Sequence, residues 1–189
     1  MGIRYTSTHM TTKVKHKKNT KKQKPDTIER TLVVIKPDGV GRGLVGQIIQ
    51  RFENAGMKIV GMKMRWVDET QAKRHYTEDL AVRRGQKVRD LMVEFLKNGP
   101  VVAFVIEGVD AIENVRKMVG STEPKTAQPG TIRGDFAHVA FRHADAYGKA
   151  VSNLIHASSD PADAEREVLV WFNEDELYDY KTVHEAFTF

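Results

Sequence analysis

The strongest constraint on the fold is a run of consecutive apolar residues, Val101-Val102-Ala103-Phe104-Val105-Ile106, introduced by Gly99-Pro100 and closed by Glu107-Gly108. A β-branched run of this length between breakers reads as a strand. Thr31-Leu32-Val33-Val34-Ile35-Lys36 has the same character and runs into Pro37-Asp38-Gly39, the pattern of a buried strand entering a turn. Between these two runs the period changes. Leu44, Ile48, Ile49 and Phe52 recur at helical spacing and Asn54-Ala55-Gly56 supplies a stop, so residues 43–56 predict an amphipathic helix. Residues 57–66 mix Ile59, Met62 and Met64 with lysines, as in a strand with one face or edge in solvent.

Helices are predicted over 69–76 and 88–96, separated by the charged segment 83–87, and over 111–119, where Ile112, Val115 and Val119 share one side. Residues 120–134 hold three glycines and two prolines, too many breakers for a regular element. A long irregular segment inside a compact domain calls for a functional reason. Residues 163–167 resemble a short helix and 168–172 a final buried strand. This order gives two β-α-β units. The expectation is an α/β fold, a ferredoxin-like βαββαβ plait with a four-stranded antiparallel sheet and helices packed on one face of it.

With 189 residues, 40% of them hydrophobic and 29% charged, the chain has material for one core and no apolar run long enough to cross a bilayer. Cysteine is absent, which excludes disulfides, thiolate metal sites and cysteine nucleophiles together. Much of the +5 net charge lies in the lysines between Lys13 and Lys24. Residues 1–27 therefore read as a basic, disordered tail, able at most to make weak contact with nucleic acid, ahead of a domain over 28–189. That start lacks the apolar stretch of an export signal, so a cytoplasmic setting is expected.

Chemistry concentrates late in the chain. In Asn153-Leu154-Ile155-His156-Ala157-Ser158-Ser159-Asp160, a histidine stands among small and hydroxyl residues. Neutral imidazole is a competent nucleophile near pH 7 when a carboxylate fixes its tautomer, and Glu167 is the candidate partner. A single histidine is equally at home in a core, so residue types alone leave its role open. Arg116, Arg133, Lys36, Thr122 and Tyr76 could supply cations and hydroxyls to phosphate oxygens, or be ordinary surface groups. Lys36-Pro37-Asp38-Gly39-Val40-Gly41-Arg42-Gly43 has neither the GxxxxGK[ST] order of a P-loop nor the GxGxxG spacing of dinucleotide binding. The histidines show no metal-ligand spacing, so no protein metal site is expected. Asp160, Asp163 and Glu165 read as an acidic helix start.

The phrases ERTLVVIKPDGVGRGLVGQII, GPVVAFVIEG, PGTIRGDF, NLIHAS and VLVWFNEDELYDY, in this order over residues 29–180, resemble the nucleoside diphosphate kinase family. The resemblance implies an enzyme that transfers the γ-phosphate of a nucleoside triphosphate such as ATP to a nucleoside diphosphate. Transfer would be ping-pong, through a phosphohistidine, with Mg²⁺ carried on the nucleotide. It implies a homo-oligomer, with a hexamer favoured over a tetramer. Residue by residue, His156 resembles the phosphorylated nucleophile, Glu167 its orienting carboxylate and Ser158 the hydroxyl supporting that pair. Arg116, Thr122 and Arg133 match the phosphate-binding set, Tyr76 the tyrosine beside the transferring group, and Lys36 and Asn153 the binders of sugar hydroxyls. Pro124 matches a proline of loop structure and subunit contact, and Glu78 an acid that holds the phosphate-binding arginines.

Three departures stand out. Val88 occupies the place of a base-stacking aromatic, with Met92 beside it, which implies either weaker hold on the base or another side chain in its place, for which Arg84 or Arg89 could stack. An insert near 137–152, containing Phe141 and Tyr147 and placing Ala150 against the base, reads as a surface excursion, with an interface arm or a flap over the base as alternatives. The family's His-Gly-Ser-Asp phrase is His156-Ala157-Ser158-Ser159 here. The altered base site leaves a non-catalytic, nucleotide-binding regulatory protein as the alternative function.

Overall fold

The computed structural model describes residues 27–188. Strand β1 (Ile28–Ile35) leads through α1 (Pro37–Gly41) into α2 (Val45–Asn54) and β2 (Lys58–Trp66). Three helices follow, α3 (Glu69–His75), α4 (Glu78–Arg84) and α5 (Gln86–Lys97), then β3 (Pro100–Val109) and α6 (Ala111–Val119). A loop with a 3₁₀ turn at Pro124–Thr126 reaches α7 (Ile132–Phe136) and α8 (Phe141–Ala146). The described chain ends with β4 (Ile155–Ala157), α9 (Pro161–Trp171), a 3₁₀ turn at Glu174–Glu176 and α10 (Glu185–Thr188). The expected tail over 1–27 lies outside the described residues except for Thr27.

The sheet is four-stranded and antiparallel, in the order β2-β3-β1-β4. This is the expected ferredoxin-like arrangement, but helices cover both faces rather than one. Leu32 and Val34 of β1 pack with Ala72, Val93, Leu96, Val168 and Trp171 of α3, α5 and α9. Val33 and Ile35 pack with Ile48, Phe52, Val115 and Val119 of α2 and α6. Successive strand side chains point to opposite faces, so the unbroken apolar runs of β1 and β3 are the signature of a sheet buried twice.

The predicted final strand over 168–172 is wrong. Residues 161–171 are helical, and Ala164, Glu167, Val168 and Trp171 fall on the buried side while Leu169 is 63% exposed. Five apolar residues in a row, from Val168 to Phe172, hid this helical face. Its start is set by Asp160, whose side chain accepts from the Asp163 amide, with Pro161 in the first turn. The true fourth strand is only three residues long and contains His156, too short and polar for a periodicity reading. Other differences are local. Pro37 opens a short helix where a turn was expected. The charged segment before Val88 belongs largely to α4 and α5, broken only at Gly85, which holds φ 92.

Candidate active site

β4 is entered through a strained turn. The Ile155 amide donates to the Asn153 carbonyl at 2.8 Å, and Leu154 between them has φ 68. A tight turn of this hand is rare for a residue with a side chain and persists only where its surroundings over-determine it. Here the Leu154 amide donates to Asp38 Oδ2 at 2.9 Å, its carbonyl accepts from the Lys36 amide at 2.8 Å, and its side chain is wholly buried. Gly39 packs so closely that a Cβ there would lie 2.9 Å from the Leu154 carbonyl oxygen. The turn delivers His156 to the edge of a cleft with its side chain 21% exposed.

His156 Nε2 lies 2.7 Å from Glu167 Oε2, and Ser158 Oγ donates to the same oxygen at 2.7 Å. Burial pushes the Glu167 carboxyl up, but the charge of His156 and the hydrogen bonds from His156 and Ser158 outweigh it and hold the group at about 2. Glu167 is therefore a carboxylate that can only accept. The hydrogen-bond network assigns the imidazole proton to Nε2 and leaves the lone pair of Nδ1 to attack.

Sequence reasoning missed His75. It is buried in α3, accepts from Trp171 Nε1 at 3.2 Å through Nδ1, and meets the His156 ring edge-on with centroids 4.4 Å apart. Its Nε2 is buried without a hydrogen-bond partner. Burial, reinforced by the charge of His156, pushes its pKa well below the ordinary histidine value, so it is a neutral packing surface under the nucleophile. The available signal was its helical spacing from buried Ala72. Donor atoms of His75, His156 and Glu167 lie within 4.8 Å of one another. Glu167 Oε2 is already engaged by His156 and Ser158, and His75 Nδ1 by Trp171, so these donors fit a hydrogen-bonded relay better than a resident metal.

The cleft beside His156, about 900 Å³, is also lined by Lys36, Tyr76, Arg116, Thr122, Arg133 and Asn153. The structure thus brings together the residues singled out for phosphate chemistry. Lys36 is buried and bonded to Asn153 Oδ1, while Asn153 Nδ2 donates to the Thr122 carbonyl at 2.7 Å. Burial pushes the Lys36 amine down to about 8, with the charge of Arg133 adding to the effect and Asp38 opposing it. Arg133 also acts as a clamp. Its guanidinium donates to the carbonyls of Asn153, Gly120 and Ile155 at 3.1, 2.8 and 2.6 Å, fastening the start of β4 to the loop. Burial, together with the charge of Arg116, lowers its pKa to about 10. Arg116 is exposed. Tyr76 is buried, its ring 4.6 Å from that of His75, and burial raises its phenol above the ordinary value.

Val88 is 38% exposed and lines a second cavity that adjoins this cleft, together with Met92 and Ala150. One expectation and one of two stacking alternatives fail nearby. Glu78 pairs with Arg89 at 2.8 Å and, among the described residues, forms no ion pair with Arg116 or Arg133. Arg89 is buried and also donates to the Tyr76 carbonyl at 2.8 Å, so it anchors the helix and is not free to stack on a base. Pro124 is buried at the start of its 3₁₀ turn.

The profile of the family described as nucleoside diphosphate kinase matches residues 29–177. A nucleoside diphosphate kinase of Borreliella burgdorferi is 48% identical over 155 residues, covering 82% of this chain and 93% of that protein. One from Pyrococcus abyssi is 48% identical over 159 residues, covering 84% and 93%. Among solved structures, the Borrelia burgdorferi enzyme with bound vanadate and ADP, a transition-state mimic, is 46% identical with a TM-score of 0.84, covering 86% of this chain and 97% of that one. The Halobacterium salinarum enzyme in complex with CDP is 41% identical with a TM-score of 0.73, covering 86% and 99%. A histidine backed by a buried carboxylate at the mouth of a cationic cleft, on this sheet and in a chain matched over residues 29–177, makes the protein a member of the nucleoside diphosphate kinase family.

Proposed function

We propose that the family's activity, reversible transfer of the γ-phosphate from a nucleoside triphosphate to a nucleoside diphosphate through a phosphohistidine, is carried here by Nδ1 of His156. The observation that carries this assignment is the 2.7 Å contact between His156 Nε2 and Glu167. Nδ1 attacks the γ-phosphorus, the bond to the bridging oxygen breaks, and the nucleoside diphosphate leaves with that electron pair. The imidazole keeps its Nε2 proton, and its new positive charge is met by the Glu167 carboxylate, itself held by Ser158. An acceptor diphosphate then reverses the step in the same cleft.

Arg116, Arg133 and Thr122 bind the phosphate oxygens, with Tyr76 beside the transferring group. Lys36 and Asn153 bind the sugar hydroxyls, and Val88 covers the base. Transfer of this kind is mostly positioning and charge stabilisation, which a fixed cationic cleft supplies. Glu113 is the one carboxylate among the described residues lining the phosphate end, against Lys36, Arg116, Lys117 and Arg133. That donor set suits Mg²⁺ brought in on the nucleotide's own phosphates, where it neutralises phosphate charge, better than a protein-bound cage. The non-catalytic alternative loses its footing because the nucleophile, its carboxylate and the cations all converge on one cleft.

The proposed assembly is a homo-oligomer, with the family's common hexamer preferred to a tetramer. Support comes from edge strand β2, where Met62, Met64 and Trp66 are 54, 61 and 70% exposed. Among the described residues no helix is long and apolar enough to cross a membrane, and the proposed setting is the cytoplasm.

Intact mass after incubation with ATP and Mg²⁺, then GDP, tests the assignment. One phosphoryl group should appear with ATP, vanish with GDP and never form in His156→Ala, while that variant still binds ADP. Phosphorylation of His156→Ala would refute it.

A further inference from the structure

The insert between α7 and β4 is not a free surface excursion. The Phe141 amide, at the start of α8, donates to Glu123 Oε1 at 2.8 Å, and the Lys125 amide donates to the Val139 carbonyl at 3.2 Å. Both partners belong to the loop that carries Thr122, whose carbonyl accepts from Asn153, the residue bonded to Lys36. The insert is therefore tied through Glu123 to the groups at the sugar and phosphate end.

Between α5 and α8 lies a cavity of about 340 Å³. It shares Lys36, Tyr76, Thr122 and Asn153 with the His156 cleft, so the two adjoin. Val88, Met92 and Phe95 from α5 and Phe141 and Val151 from the insert give it apolar surface, and the charged Arg83, Arg84, Asp145 and Lys149 line it as well. Lys36 Nζ lies 5.7 Å from the Phe95 ring centroid, joining the apolar floor to the polar end. Phe141 is 39% exposed and lines this cavity, so part of its ring is open to an occupant.

We propose that Phe141 of α8 is the aromatic wall on which the nucleobase stacks, opposite the aliphatic surface of Val88 and Met92, and that Glu123 is the residue that positions it. This rests on the reading of the His156 cleft as the phosphate end of a nucleotide site. A nucleobase suits the slot because it is flat, apolar on both faces and joined through its sugar to phosphates that the adjoining cleft leads toward His156. Stacking of this kind tolerates different bases, since every base has a π-face. An aromatic delivered from the insert accounts for Val88 on α5 without loss of a stacking surface.

Steady-state kinetics with ATP as donor and GDP as acceptor test the proposal. Phe141→Ala should raise KM for GDP about tenfold, the scale of one base–aromatic stack, with kcat at saturation nearly unchanged. Inhibition by inorganic triphosphate, which has no base, should be unaltered. Glu123→Ala should shift KM in the same direction, while Glu123→Gln, which keeps a carbonyl to accept from the Phe141 amide, should stay near the wild type. Phe141→Trp should retain a low KM and show fluorescence quenching by GDP beyond that of the wild type, a readout independent of turnover. Unchanged KM in Phe141→Ala, with KM raised in Val88→Ala and no added quenching in Phe141→Trp, would overturn the α8 wall alone. A wild-type chain that forms no phosphohistidine would overturn the reading of the cleft beneath it.

Discussion

His156 Nε2 and Glu167 Oε2 meet at 2.7 Å although eleven positions and a change from strand to helix separate the two residues. The contact fixes the imidazole tautomer and meets the charge that develops on attack. Glu167→Gln replaces an obligate acceptor with a group that can donate, which favours the wrong tautomer at Nδ1. The rate of phosphohistidine formation in a single turnover should fall by about 10⁴-fold, the scale of tautomer loss in the Ser-His-Asp triad, with ADP affinity retained. Ser158→Ala removes one of two donors to the same oxygen and should cost about tenfold, equivalent to one charge-assisted hydrogen bond.

Acid stability should report two buried groups in adjacent windows. His75 has a folded pKa depressed by burial, so its stabilising contribution is complete above the unfolded value of about 6.5 and is lost as pH falls below it. Glu167, held at about 2, contributes fully above the ordinary glutamate range and loses that contribution as pH falls toward 2. Urea midpoints measured from pH 7 to pH 3 should therefore decline first through His75 and then through Glu167. His75→Gln should flatten the upper part of the decline and Glu167→Gln the lower.

Lys36, lowered to about 8, sets an alkaline limit on binding. Its protonated form attracts the nucleotide, so affinity for ADP should be flat up to about pH 8 and fall as the free protein loses that proton. Calorimetric titration across pH 7 to 9.5 should show this decline in the wild type, and Lys36→Met should bind more weakly at pH 7 without it.

Asp38 holds the strained turn through the Leu154 amide. Asp38→Ala leaves that buried amide without its charged acceptor and should lower stability by about 1.5–3 kcal/mol. Because the turn aims His156, phosphohistidine formation should slow as well. Thermal unfolding and single-turnover phosphorylation on the same preparation check both effects, and a destabilised variant with an unchanged rate would separate the turn from the chemistry.

Much of the architecture was legible along the chain. The helix at Ala111–Val119 and strands β1, β2 and β3 lie where apolar runs and periods put them, because each is long enough for its pattern to outweigh local noise. α9 was misread in part as a strand because Val168, Leu169, Val170 and Trp171 are consecutive apolar residues, although only Val168 and Trp171 of these are buried. β4 has three residues and exists only because β1 offers it an edge at Ile35, Val34 and Val33.

Residue order alone set the alternation of strand and helix as far as α6, the absence of cysteine chemistry and, through the family phrases, which histidine, carboxylate and cations belong together. Packing in three dimensions settled the rest, because those properties depend on partners far apart in the chain. His75 becomes a neutral support only when α9 brings Trp171 against it, and Glu78 is committed to Arg89 by the packing of α4 on α5. Arg133 becomes a clamp only where three carbonyls from the loop and β4 converge on it. The insert acquires a role only where Glu123 ties α8 beside the cavity over Val88, since no local pattern of residues 137–152 records which surface they will face.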